Sequence, residues 1–284
     1  MADVEYGHYT TISGAMGILK NEALWATNIK FLNDEHEFQH ALDLIKELLP
    51  TSRISREEPN NPVHNSFIKA ITEKIDTLDN HRSDSVFTLS FTEETDLLSQ
   101  WRGYCPTNNG YCVVMDVQKL YELLKEKFNA VHLVQCVYDL DEKKNQLKAL
   151  LNSYWSKYVS VKSSDGSKKA RNGIIDNLSK ELMLLASYFK HPSFAEEKEH
   201  RIVVIMEWAP SEETMHFREG RFSIIPYLQL SAPRSLVKRI IIGPTAHKKL
   251  SKRALEAFIE KVFAEPMFLV DVSVEFSKTP YRHW

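Results

Sequence analysis

Apolar, β-branched runs recur along the chain and are separated by helical patterns that do not alternate with them strictly. "DSVFTLSFT" (84–92), "NNGYCVVMDV" (108–117), "VHLVQCVYDL" (131–140), "HRIVVIMEW" (200–208), "FSIIPYLQL" (222–230), "VKRIIIGP" (237–244) and "MFLVDVSVEF" (267–276) read as strands. Strict βαβ alternation would predict a parallel, doubly wound sheet. This irregular order predicts instead an α+β fold, with a mixed, mainly antiparallel sheet flanked by helices. We read residues 1–284 as a single α+β domain with a mostly helical insertion around 118–190.

The intervening segments fit that picture. "EYGHYT" is a first strand. Ile12, Ala15, Ile18 and Leu19 then fall at helical spacing, with Thr10 or Thr11 as the cap and Asn21 as a left-handed stop. "LWATNIKFL" is extended. Phe38, Ala41, Leu42, Ile45, Leu48 and Leu49 form one stripe of a helix whose start, Asp34 and Glu37, has capping-box spacing. Residues 50–66 hold three prolines and read as a loop, "FIKAITEKIDTL" as a helix, "EETDLLSQWRGY" as a short helix, and "KSSDGSKKARNG" as a flexible polar stretch. "TAHKKLSKRALEAFIEKVF" is an amphipathic helix.

Charge and cysteine usage remove several function classes. A formal net charge of −2 provides no global field for nucleic acid or anionic membrane, although a local patch could bind nucleic acid. The three cysteines, Cys105, Cys112 and Cys136, lack CxxC spacing, so neither a disulfide framework nor a thiolate zinc site is expected. No run is long and apolar enough for a membrane span and no signal peptide is apparent, so the expected location is the cytoplasm. No P-loop, Rossmann fingerprint or nucleophile elbow occurs.

Two constellations could carry chemistry. "HEFQH" has the H-E-x-x-H form, in which His36 and His40 would share a helix face and Glu37 would act as base to a zinc-bound water. No third ligand follows at a convincing place, so no metal is assigned, and a zinc-dependent hydrolase stands as a third reading. The second is "FAEEKEHRIVVI". In an extended chain Glu197, Glu199 and Arg201 point to one face at the mouth of a strand, as a salt-bridged surface ladder or as a Glu-x-Glu site. In the site reading one carboxylate stabilises the oxocarbenium-like state of N-glycosidic cleavage and the other handles the incoming nucleophile. Nicotinamide leaves NAD as a neutral molecule, so no general acid is needed.

"HYTTISGAMGILKNEALWATN" resembles the opening motif of the ADP-ribosyltransferase superfamily. The whole chain resembles more specifically the bacterial domain-of-unknown-function family number 2971, through "HYT", "FLNDEHE", "LSFTEETDLLSQWRGY", "NGYCVVMD", "FAEEKEHRIVV", "RIIIGP" and "SKTPYR" in one order. The superfamily resemblance implies an ADP-ribosyltransferase-like split-sheet core and an enzyme that consumes NAD as substrate, transferring ADP-ribose to a protein or nucleic-acid acceptor or hydrolysing the dinucleotide. Bacterial members often act as toxins or antiphage effectors. It implies Glu199 as the catalytic acid on the nicotinamide ribose and Glu197 as its partner toward the acceptor. His8, with Tyr9 and Thr10 beside it, would bind the dinucleotide across one crevice from Glu199. Trp101 or Tyr104 would supply the aromatic surface against nicotinamide. Arg102 could clamp the pyrophosphate, while Arg201, Asn33 and Asp34 complete the candidate set. Phe194 stands where the superfamily pattern leads one to expect Trp. The alternative is a non-catalytic module that holds a nucleotide or nucleic acid in the same cleft.

Overall fold

The computed structural model describes residues 5–32, 37–49, 62–77, 86–105, 110–161, 166–206, 215–220, 223–263 and 272–280. The chain is α+β, with a mixed, mainly antiparallel sheet flanked by helices. Its strands are β1 (Tyr6–Thr11), β2 (Ala23–Asn28), β3 (Val86–Thr92), β4 (Gly110–Met115), β5 (Val131–Gln135), β6 (Glu199–Ile205), β7 (Met215–Glu219), β8 (Ile224–Ser231), β9 (Val237–Ile242) and β10 (Ser273–Phe276). The helices are α1 (Ile12–Asn21), α2 (Glu37–Leu48), α3 (Pro62–Thr77), α4 (Leu98–Tyr104), α5 (Val117–Lys125), α6 (Leu140–Ser160), α7 (Ser167–Tyr188) and α8 (Lys248–Val262). Among the described strand pairs, only β9 with β10 is parallel.

The sheet branches at β3. Along its whole length one edge of β3 pairs with β6, from Val86↔Ile205 to Thr92↔Glu199. The other edge is shared. It meets β2 at Thr27↔Thr88 and Asn28↔Phe87, and β1 at Gly7↔Thr92 alone. Between those contacts β1 and β2 diverge, and among the described residues no strand pairs with the Leu89–Phe91 edge of β3. From the fork one wing runs β1-β4-β9-β10 and the other β2-β8-β7.

Residues directly opposite in a ladder share a face and neighbours in sequence take opposite faces, so the registers assign every side chain. On one face lie Phe87, Leu89, Phe91, Ile202, Val204, Val113 and Leu228, packed with α1, α5 and α8 in one core. On the other, Val86 and Val203 lie beneath α2, α3, α6 and α7, whose apolar stripes form a second core. The α2 stripe Phe38, Ala41, Leu42, Ile45, Leu48 and Leu49 is buried there as its spacing predicts. A satellite of Tyr9, Trp101, Cys105, Cys112, Val114 and Ile241 lies on that same second face, over the β1-β4-β9 wing.

Local chemistry moved several boundaries. Thr11 caps α1 through its hydroxyl to Gly14 N, but Glu22 rather than Asn21 takes the left-handed stop, at φ 48. Its carboxylate accepts from the Arg234 backbone N–H, a tertiary contact that no propensity contains. Helix α3 begins at Pro62, inside the expected 50–66 loop, because proline at the first helical position sacrifices no hydrogen bond. Part of the polar stretch "KSSDGSKKARNG" is the start of α7, entered through Gly166 at φ 99. Strand β7, half exposed and at the sheet's edge, is only five residues long, with Met215 and Phe217 its apolar positions, and escaped notice.

Neighbouring strands β4 and β9 approach closely at their ends, where the Gly243 N–H donates to Gly110 O at 2.9 Å. A Cβ on Gly243 would lie 2.9 Å from both Gly110 O and the Trp101 ring. Gly243→Ala is expected to lower stability by about 1–3 kcal/mol, read as a shift of the urea midpoint at constant slope. An unchanged midpoint would show that the satellite core yields.

Candidate functional site

The Glu-x-Glu element forms a closed ionic cluster. Residues 192–197 make a 3-10 turn, Lys198 adopts a left-handed conformation at φ 41, and β6 starts at Glu199. Glu197 therefore precedes the strand, yet its carboxylate still reaches the same point as that of Glu199. Lys190, just beyond the end of α7, bridges them, with Nζ 2.5 Å from Glu197 Oε2 and 2.6 Å from Glu199 Oε2. Arg201 grips Glu199 bidentately, Nε to Oε1 at 2.7 Å and Nη2 to Oε2 at 3.0 Å, and donates Nη1 to Ser187 O at 2.7 Å. The Glu199 backbone N–H donates to the Tyr138 hydroxyl. Lys190 and Glu199 are each 5% exposed and Arg201 2%, so two cations and two anions balance in a dry setting.

Burial alone would raise the Glu199 pKa. Arg201 first and Lys190 second more than offset it, and bring the carboxyl down to about 2. The folded value lies below the unfolded one, so this carboxylate stabilises the protein above the unfolded pKa and the stabilisation is lost as pH falls. Between about pH 4.5 and 2, stability is expected to drop by roughly 3 kcal/mol through Glu199. Urea titrations across that window check it, and a Glu199→Gln variant should lack that part of the slope.

The other candidates distribute unevenly. Gly7, Thr92 and Glu199 lie in one row across β1, β3 and β6, so their side-chain positions share a face. His8, the next residue, belongs to the opposite face, where its ring lies 5.8 Å from that of Phe91. The expectation that His8 and Glu199 flank one crevice is thereby corrected: the period-two alternation of β1 separates them. His8 instead closes the fork, its Nδ1 bonded at 2.9 Å to Ser90 O on the Leu89–Phe91 edge of β3. That bond requires the proton on Nδ1, and burial lowers the pKa of the ring. Thr10 shares the face of His8, and its carbonyl accepts from the Cys105 thiol.

Tyr9 is on the Glu199 face, but its hydroxyl is committed: it donates to Glu94 O and accepts from Leu97 N, both at 2.8 Å. It holds the loop ahead of α4. Trp101, 1% exposed, packs edge-on against Tyr9 and donates Nε1 to Asp96. It is core. Tyr104, one turn further on, is near enough to the cluster for Glu199 to raise its pKa, after burial, and the Phe194 ring lies 5.0 Å from Lys190 Nζ. Arg102 is exposed and lines a depression with Leu97, Leu98, Ser99, Gly103 and Glu196. Arg201, a member of the candidate dinucleotide-binding set, has its guanidinium bonded to Glu199 and Ser187 O.

Asn33, Asp34 and His36 lie outside the described residues, as does Arg282. His40 is exposed with its ring 6.0 Å from that of His191, and no group of three His, Cys, Asp or Glu among the described residues could hold a metal ion. Lys190 and Tyr138 were missed. Lys190 sits in "SYFKHPSF", where a lone lysine after a helix looks like ordinary surface; only the short step to Glu197 hints at a partner. Among the described residues no helix is long and apolar enough to cross a membrane.

A polar strip on a branched sheet, with paired carboxylates at a strand mouth, is the class of site that the structure defines. The model of a family described as "Protein of unknown function (DUF2971)" matches residues 100–202, which span "QWRGY", "NGYCVVMD" and "FAEEKEHRI". The resemblance to that family is thus shown over this part of the chain. No curated protein matches. Among solved structures, Thermus sp. 2.9 DarT in complex with ADP-ribosylated ssDNA is similar at 13% identity and a TM-score of 0.35, over 97% of this chain and 95% of that one. The same protein in complex with NAD+ is similar at 13% identity and a TM-score of 0.33, over 97% and 96%.

Proposed function

We propose that the chain is an NAD-consuming enzyme of the ADP-ribosyltransferase type, which breaks the nicotinamide–ribose bond and passes ADP-ribose to a macromolecule or to water. The fork at β3 carries this reading: β1 and β2 leave the same edge of β3, while Glu199 opens the strand paired with its other edge. This is the split-sheet arrangement that the superfamily resemblance implies. The face of the fork that bears Glu199 carries Thr27, Thr88, Ser90, Thr92 and Arg201 on β2, β3 and β6, beside the apolar Val86 and Val203. Thr88 Oγ1 is buried there without a hydrogen-bond partner among the described residues, a group that a ligand hydroxyl or phosphate would satisfy.

Glu199 is the residue assigned to the nicotinamide ribose. Its carboxyl, held down at about 2, is an anion at any physiological pH and suits charge stabilisation rather than proton transfer. Lys190 Nζ occupies the place between the two carboxylates that suits a cation, and displacement of that ammonium frees Glu199 toward a developing ribosyl cation. Tyr104 provides the aromatic surface beside it. Glu197, nearer the rim than Glu199, is directed at the acceptor. The single domain with a helical insertion at 118–190 and the cytoplasmic location belong to the same proposal, as do the toxin and antiphage roles.

A binding module without chemistry is favoured by one observation, the closure of the ionic cluster. Incubation of the purified protein with NAD, with mass spectrometry for free nicotinamide and for adducts on added protein and nucleic acid, separates the readings. Nicotinamide release establishes the enzyme. Saturable NAD binding without release over long incubation establishes the module.

A further inference from the structure

Three rings form a stack across the β2-β8-β7 wing. Trp25 lies on the part of β2 that has left β3, and its ring stacks on that of Tyr227 of β8 at 4.5 Å and 29°. Tyr227 in turn meets His216 of β7 in a tilted ring contact, at 5.6 Å and 32°. The middle ring is buried, at 8% exposure, and the end rings are open, with Trp25 at 47%. At 47% exposure Trp25 leaves ring surface open to water at one end of the row, a surface on which a further planar group can stack.

A cation accompanies the stack. Arg218 lies on β7 two residues beyond His216 and therefore on the same face. Its Nη2 donates to Thr27 Oγ1 at 3.4 Å, its Nε is buried without a hydrogen-bond partner, and no carboxylate pairs with it among the described residues. An arginine partly withdrawn from water with no anion beside it calls for a negatively charged ligand.

The registers join this surface to the ionic cluster. His216, Tyr227, Thr27 and Thr88 stand in one row, and Thr92 faces Glu199 four residues along β3. At about 4.8 Å per strand and 3.3 Å per residue, Thr27 and Glu199 are roughly 16 Å apart on one face of the sheet.

We infer that the Trp25–Tyr227–His216 stack is a docking platform for an unpaired nucleic-acid strand, whose bases continue the stack at its open ends and whose phosphate meets Arg218. This deepens the transferase reading, on which it rests for the meaning of the Glu199 end, by naming single-stranded nucleic acid as the acceptor class. A flat, open platform suits a run of bases better than one adenine, which is ordinarily held in an enclosed slot. Base stacking does not discriminate the sugar, so deoxyribose and ribose strands are expected to bind alike. Net charge does not drive the encounter; local rings and one guanidinium do.

The test is fluorescence anisotropy with labelled oligodeoxythymidine and oligouridine of about 12 nucleotides, with the corresponding duplex as control and no NAD present. Both single strands should bind and the duplex should not. Trp25→Ala should weaken binding about tenfold or more, whereas Trp25→Phe retains most of it. Arg218→Gln should reduce the slope of log affinity against log salt by about one. Circular dichroism checks that each variant is folded. Absence of single-strand binding, or binding indifferent to Trp25→Ala, overturns the inference. So does a loss of NAD binding in Trp25→Ala with strand binding intact, which would give the stack to the adenine of the dinucleotide. Strand binding by a protein that never releases nicotinamide would leave the platform standing and sink the transferase reading alone.

Discussion

Lys190→Met is expected to destabilise the protein by about 3–5 kcal/mol, a large share of a typical domain's 5–15 kcal/mol. The side chain is nearly isosteric along its stem, so the loss is electrostatic. In the wild type, Lys190 and Arg201 balance Glu197 and Glu199 within a cluster almost closed to water. Without the ammonium, Arg201 still holds Glu199, but the bridge to Glu197 is gone and one negative charge is left over. One carboxyl must then hold its proton, its folded pKa rising above the unfolded value. The sign of the pH dependence inverts for that group: its destabilisation grows as pH rises through the unfolded pKa and is relieved below it. Urea midpoints at mildly acidic and neutral pH measure this. The variant should recover stability on acidification while the wild type does not. A variant as stable as wild type at neutral pH would mean that water already enters the cluster and screens it.

The same cluster shows how far residue order reaches. The strand runs were legible because each carries enough β-branched and aromatic residues to announce a half-buried ribbon. Every strand but β7 was placed, although β9 and β10 turn out to be a parallel pair, which local pattern cannot reveal. The Glu-x-Glu pair was legible as two acids at a strand mouth. What closes it was not, because Lys190 comes from the end of a separate helix and Tyr138 from the segment after β5. His8 was misplaced by a related ignorance. Alternation along β1 fixes that His8 and Tyr9 oppose each other, but not which of them shares the face of Glu199. That needs the Gly7↔Thr92 contact, a pairing of residues 85 positions apart. The aromatic stack escaped for the same reason. Trp25, Tyr227 and His216 come from three strands, and nothing in their own neighbourhoods distinguishes them from ordinary strand residues.

Glu199→Gln is expected to reduce nicotinamide release from NAD by at least about a hundredfold, the scale on which one preorganised electrostatic group acts on a transition state. The amide keeps the size of the side chain and can still accept from Arg201, but it carries no charge to set against a ribosyl cation. Because the cluster then holds one cation too many, the variant must be shown folded by circular dichroism and assayed below its melting temperature. Glu197→Gln, on the rim side, should spare hydrolysis by water more than transfer to a macromolecule. The pH profile provides a readout that a merely structural role would not move. A carboxyl held down at about 2 is ionised throughout the accessible range, so Glu199 should contribute no acidic limb to kcat above about pH 4. A general acid would give such a limb. Normal release of nicotinamide by folded Glu199→Gln would remove this residue from the chemistry and leave the ionic cluster a structural clasp between α7 and β6.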